Sequence, residues 1–183
     1  HGEGFCVFND IAVCVKKLQK EKLIKKVLVI DCDLHQGNGT AFIFKDDKSV
    51  FTFSIHQEVL YPMTKPPSNI DIGLDVGASN KEYLMYLENN LPLIIKKFKP
   101  DFILYVAGAD PYKEDQLGGL KLTLSGLKQR DEFVIGLAAG SKIPVCIVLA
   151  GGYAKKTTDT VKIHTNTIKV GLKYMIVTNK VVN

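Results

Sequence analysis

Four stretches of the chain are apolar almost without interruption: Lys26–Asp31 (KVLVID), Val50–Ile55 (VFTFSI), Phe102–Ala107 (FILYVA) and Pro144–Ala150 (PVCIVLA). A strand wetted on one face alternates apolar and polar residues, whereas a strand covered on both faces, as in a parallel sheet, does not. All four are therefore expected to be buried parallel strands. Helical spacing fills the intervals between them. Ser79 and Glu82 form a capping-box signature ahead of Leu84, Leu87, Leu91, Ile94 and Phe98, which fall on one helical stripe. Pro92 is expected to kink this helix and Pro100 to close it. A second helix, from Thr123, aligns Leu124, Leu127, Val134 and Leu137 and takes Gly140 as its C-cap. Phe8–Gln19 and the stretch after Asp159 are further helices. Strand–helix–strand repetition implies right-handed crossovers and an open α/β sheet, and residues 1–183 read as one domain.

Composition removes several alternatives. Of 183 residues, 46% are hydrophobic and 23% charged, the balance of a globular protein rather than a disordered or fibrous one. Lys and Arg exceed Asp and Glu by 24 to 19. The basic residues are scattered pairs such as Lys16-Lys17 and Lys96-Lys97, and the sole arginine is Arg130. This is a solvated surface, not a nucleic-acid face, because the guanidinium fork that reads phosphates and bases is nearly absent. No apolar run reaches the roughly 18 residues of a membrane span, and no signal peptide is expected. Cys6, Cys14, Cys32 and Cys146 form no C-x-x-C pair; each lies in an apolar run, so buried thiols in a reducing, cytoplasmic or nuclear compartment are expected. The first residue is His1, inside a patterned segment, so the chain is expected to be part of a longer product.

In open α/β sheets ligands bind beyond the carboxyl ends of the strands. Each predicted strand ends in polar or glycine residues: Asp31-Cys32-Asp33-Leu34-His35-Gln36-Gly37-Asn38-Gly39, then Ser54-Ile55-His56, then Gly108-Ala109-Asp110-Pro111, then Gly151-Gly152-Tyr153. Residues two apart on an extended strand point the same way, so Asp33 and His35 could reach one ion, and Asp110 could complete the set. One histidine and two carboxylates with open positions make a catalytic rather than a structural metal site. Zinc suits such ligands, and Fe(II) or Mn(II) fit them as well. The bland reading of the same run is a loop whose Asp and His cap a helix. Tyr153 either anchors a loop or aims its phenol at a developing oxyanion, with Gly151 and Gly152 leaving room for substrate. Phe5 and Tyr61 are core or lid aromatics, or walls of a narrow apolar channel. His56 and His164 read as ordinary hydrogen-bonded histidines. Gly37-Asn38-Gly39 lacks the Lys-Ser/Thr of a phosphate loop.

The segments HGEGFCVFND, VLVIDCDLHQGNGT, FTFSIHQEVLYP, YVAGADPYKEDQLG and LAGGYA, in this order and over nearly the whole chain, resemble the zinc-dependent histone deacetylase family. The His35-Gln36-Gly37-Asn38-Gly39 form and Ser68-Asn69-Ile70-Asp71 are more similar to its class IV and bacterial branch than to its class I enzymes. The resemblance implies the arginase/deacetylase fold, a three-layer α/β/α arrangement around a mainly parallel sheet, here incomplete at its N-terminus. It implies that Asp33, His35 and Asp110 bind zinc and that Tyr153 hydrogen-bonds the substrate carbonyl. Asp31 would orient one of a catalytic pair of histidines and Asn38 the other. Asp31, Ser54 and the carbonyls of Asp33, His35 and Ile55 would hold a monovalent cation, usually potassium. Gly4, Phe5 and Tyr61 would wall the acyl-lysine tunnel, with Gly151 and Gly152 beside it, and Asp115 would lie near the metal loop.

The activity so implied is hydrolysis of acetyl-lysine in histones or other proteins, with no nucleic-acid or membrane partner. The family's tandem histidine pair, the general base, precedes the Gly4-Phe5-Cys6 segment. His1 is not at its position and is assigned no role, so this chain alone is expected to be weak or inactive and to leave apolar sheet surface uncovered. Two alternatives are a non-catalytic paralogue that binds zinc and acyl-lysine, and a deacylase acting on acetylpolyamines or long-chain acyl-lysine. A two-manganese ureohydrolase lacks support, because Gln36, Gly37, Asn38 and Pro111 stand where bridging ligands would be needed.

Overall fold

A computed structural model describes residues 2–180, with side-chain surroundings as far as Met175. Five parallel strands, β1 (Val27–Asp31), β2 (Val50–Gln57), β3 (Ile70–Leu74), β4 (Phe102–Ala107) and β5 (Val145–Leu149), lie in the order β3-β2-β1-β4-β5. The central strand β1 is buried at every position, as its unbroken apolar run requires. Its residues serve two cores. Leu28 and Ile30 join Phe53, Ile55, Ile103 and Tyr105 beneath α3 (Asn80–Phe98), α4 (Leu124–Gly140) and α5 (Thr157–Lys180). Val27 and Val29 join Val50, Leu104 and Val106 beneath α1 (Asp10–Lys20) and α2 (Asn38–Phe44). Helices on both faces of a parallel sheet make the expected three-layer α/β/α architecture.

The helix starts follow local chemistry. Asn9, Ser79 and Thr123 each accept a hydrogen bond from a backbone N–H three residues on, which satisfies a donor that the first helical turn leaves unpaired. Some details depart from expectation. The third helix continues through Pro92, which is exposed. It ends at Lys99, in the left-handed conformation (φ 54°), just before Pro100. Gly140 is the last helical residue rather than the cap, and Lys142 takes the positive φ (55°). Two elements escaped the pattern. Helix α2 begins with Asn38-Gly39, a turn signal, and β3 is an edge strand whose exposed Asp71 and Gly73 interrupt its apolar positions.

The other edge, β5, is only half covered, and Leu149 is exposed. Of the four cysteines only Cys32 is buried; Cys6 and Cys146 are exposed and Cys14 is intermediate, so the expectation of four buried thiols is corrected. Among the described residues no helix is long and apolar enough to cross a membrane. Because all strands are parallel, their carboxyl ends share one rim of the sheet, and the pairing sets Asp31 beside both Ser54 and Val106.

Lys99 occupies a left-handed position that glycine adopts without strain. Lys99→Gly is expected to raise stability by about 0.5–1 kcal/mol, because relief of roughly 1–2 kcal/mol of left-handed strain exceeds the added freedom of the unfolded chain. Urea unfolding checks this, and an unchanged or lower midpoint contradicts it.

Candidate metal centre

Past Asp31 the chain leaves the sheet, and the side chains of Asp33, His35 and Asp110 converge at the rim with ligand atoms within 4.8 Å of one another. His35 Nδ1 lies 3.2 Å from Asp33 Oδ1 and 3.5 Å from Asp110 Oδ2. The backbone locks the carboxylates in place. The N–H of His35 donates to Asp33 Oδ1 (2.9 Å), that of Gly151 to Asp33 Oδ2 (3.0 Å), and that of Leu34 to Asp110 Oδ1 (2.9 Å). Each carboxylate is thus bonded to a strand end other than its own.

The glycines at this rim admit the cluster. A Cβ on Gly151 would stand 2.1 Å from Asp110 Oδ2, and one on Gly108 would stand 2.7 Å from Asp33 Cα. A Cβ on Gly152 would meet Thr160 and Ala109. The room left by Gly151 and Gly152 is therefore filled by the ligand carboxylates and by α5.

Asp31 is buried beside this cluster. Its Oδ1 accepts from the N–H of Asp33 (3.0 Å), and Gly37 packs against its Oδ2. Burial, and then the charge of Asp33, push its pKa well above the ordinary carboxylate value. Asp110 is likewise raised by burial and by Asp33. Asp33 is also penalised by burial, but two hydrogen bonds from His35 outweigh that and leave it below the ordinary value. His35 is pushed up to about 10, chiefly by its bonds to Asp110 and Asp33. The two carboxylates therefore favour the protonated imidazole of His35.

Tyr153 follows β5 and is half exposed. Its N–H donates to Asp115 Oδ2 (2.6 Å), while Asp115 Oδ1 accepts from the N–H of Leu117 (2.9 Å). The buried Asp115 carboxylate therefore shapes the loop that carries Tyr153. The Phe5 ring meets that of Tyr153 edge-on at 6.2 Å, and the Tyr61 ring meets His35 at 6.4 Å. Phe5, with Gly4 before it, has positive φ and is exposed. Asn38 Nδ2 donates to Glu3 (2.5 Å), as does Tyr61 Oη (3.0 Å). Glu3 is a polar group at the rim that no motif singled out. Ser54 Oγ bonds His56 Nδ1 at 2.9 Å, and His56 Nε2 is buried without a hydrogen bond, as is His164 Nδ1. His1 lies outside the described residues.

The sequence pattern described as Histone deacetylase domain matches residues 1–168. The chain belongs to the histone deacetylase family. An uncharacterized protein of Picosynechococcus is 42% identical over 90% of this chain, and Histone deacetylase 2 of Arabidopsis thaliana is 34% identical over 87%. A protein named probable deacetylase, from Methanothermobacter thermautotrophicus, is 33% identical over 82% of this chain. The higher identity to a bacterial protein agrees with the bacterial-like character of the His35–Gly39 segment. The crystal structure of the HDA15 HD domain superposes with a TM-score of 0.78, at 29% identity, over 94% of this chain and 52% of that one. The chain spans 55%, 42% and 48% of the lengths of the three sequence relatives, about half in each case. In this member of the family the Asp-His-Asp cluster and the Tyr153 loop share one rim, and Phe5 and Tyr61 flank them.

The raised pKa of His35 has a definite sign. Its folded value, about 10, exceeds the ordinary 6.5, so its contribution to the stability of the metal-free protein is fully present below pH 6.5 and is lost as pH rises through about 10. An NMR titration of the metal-free protein should place the His35 midpoint near 10, and Asp110→Asn should lower it toward 6.5. A midpoint near 6.5 in the parent protein contradicts the geometry.

Proposed function

We propose that this chain supplies the metal centre and the catalytic tyrosine of a zinc-dependent lysine deacetylase. The observation that carries the reading is the convergence of Asp33, His35 and Asp110 at the carboxyl rim of the sheet. The donor set fits zinc: one imidazole nitrogen and two carboxylates leave positions open for substrate and water. It also fits the electrostatics. Burial and mutual repulsion disfavour the charged forms of Asp31 and Asp110, and a divalent ion at the cluster with a monovalent ion at Asp31 would favour them. Potassium held by Asp31, its sheet neighbour Ser54 and nearby carbonyls is the second part of the proposal.

When bound, zinc polarises the acetyl carbonyl and lowers the pKa of a water molecule. The remaining work belongs to side chains. The phenol of Tyr153 donates to the substrate oxygen as negative charge develops there, a bond that is stronger in the transition state than in the ground state. The rings of Phe5 and Tyr61, with Gly4, border the approach and accept the apolar stem of an acyl-lysine. Asp31 and Asn38 are the groups that orient the imidazoles acting as general base and acid. The amide of Asn38 donates to Glu3. The substrate is an acetylated protein, histones included, or a small acyl-amine, in the cytoplasm or nucleus.

In the complete protein, Tyr153→Phe is expected to lower kcat on an acetyl-lysine peptide by about 100–1,000-fold, with KM nearly unchanged. A steady-state assay with metal content confirmed checks this. Unchanged kcat removes Tyr153 from the chemistry.

A further inference from the structure

Arg130 is the sole arginine of the chain, and it is fully buried in α4 next to an equally buried Asp131. Neither lies at the rim, and no step of the proposed reaction uses either. A buried ion pair is weak evidence for stability, since apolar residues of similar volume often serve as well. What the pair touches is more informative. Arg130 Nη1 donates both to the carbonyl of Gly108 (2.6 Å) and to that of Cys32 (3.3 Å). Cys32 immediately precedes Asp33, and Gly108 stands two residues before Asp110. One guanidinium nitrogen therefore bridges the two strand ends that carry the candidate ligands.

The place of the bridge matters. The ladder between β1 and β4 continues to Cys32, whose N–H donates to the carbonyl of Val106 (3.0 Å). Just beyond it the two chains leave the sheet, and Arg130 joins them. They approach closely, since Gly108 has no room for a side chain against Asp33. The ligands are also cross-linked: Asp110 accepts from Leu34 N–H on the β1 side. Spacing between the strand ends thus passes directly into the spacing of Asp33 and Asp110.

Asp131 leaves the guanidinium no freedom. Its Oδ1 accepts from Arg130 Nε (3.0 Å) and Nη2 (2.8 Å) and from Tyr105 Oη (2.6 Å), and its Oδ2 accepts from Thr167 Oγ1 (2.6 Å). Tyr105 belongs to β4 and Thr167 to α5, so three elements converge on one carboxylate. We propose that Arg130 and Asp131 are positioning residues for the metal centre: the guanidinium sets the distance between the Cys32 and Gly108 strand ends, and Asp131 sets the guanidinium. This rests on the metal-binding reading above.

The test titrates cobalt(II) into the metal-free intact protein, with the visible spectrum reporting coordination and a competing chelator reporting affinity. Two variants are compared with the parent. Arg130→Met/Asp131→Leu replaces the whole pair by apolar groups, and Arg130→Lys keeps a charge opposite Asp131 but cannot span both carbonyls. Both variants are expected to fold by circular dichroism. The double variant should bind cobalt about 10–100-fold more weakly, the usual effect of removing a group that orients metal ligands, with an altered absorption band; Arg130→Lys should fall between it and the parent. Folded variants with parental affinity and spectrum overturn the proposal. Failure of both variants to fold also overturns it, because the pair would then serve the fold alone. A parent that binds no cobalt overturns the metal-centre reading itself, and the positioning role with it.

Discussion

Everything at the rim of this sheet answers to one electrostatic problem: the buried carboxylates of Asp31 and Asp110 lie beside the half-buried carboxylate of Asp33. Burial penalises each of them, and the charge of Asp33 raises its two neighbours further. Such a cluster persists only if positive charge enters it or if protons neutralise it. The bonds of His35 to Asp33 and Asp110 favour a protonated imidazole that does part of that work. A divalent ion in its place would release that proton and hold the same oxygens more strongly. The site is thus built at some cost to the fold, which a bound cation would offset.

The parallel sheet makes the cluster possible. Because β1, β4 and β5 run the same way, Asp33, Asp110 and the Gly151-Gly152-Tyr153 loop leave the sheet at the same rim. Gly108 and Gly151 let the backbones and carboxylates close to contact distance. The N–H groups of Leu34, His35 and Gly151 then fix the oxygens from three directions. Beneath this layer, Arg130 and Asp131 tie the β1 and β4 ends to the helices on one face. Asp115 gives similar support to the Tyr153 loop from the side.

Much of this was legible in the sequence. The unbroken apolar runs marked strands covered on both faces, and the polar residues after them marked the rim. Where the reading fell short, local signals were weak or pointed elsewhere. Asn38-Gly39 is a turn signal, yet α2 starts there, and its Phe44 packs on the second core. Strand β3 is short and alternates, as an edge strand does. Cys6 and Cys146 sit in apolar runs but fall at the N-terminal segment and on the sheet edge, where little covers them. Arg130 and Asp131 were illegible for a different reason. Adjacent charges on a helix read as solvated, and only tertiary structure shows two strand ends and Tyr105 turned toward them. Glu3 carries no local signal at all, and its place beside Asn38 and Tyr61 emerges only when residues 35 and 58 apart in the chain are brought together.

The central claim is that the buried carboxylates exist to hold a metal ion between β1 and β4. Diffraction from crystals of the zinc-loaded protein, recorded on both sides of the zinc absorption edge, tests it most directly. The account predicts one strong anomalous peak among Asp33, His35 and Asp110. An empty cluster beside a well-ordered chain, or a peak only at other residues, would contradict it.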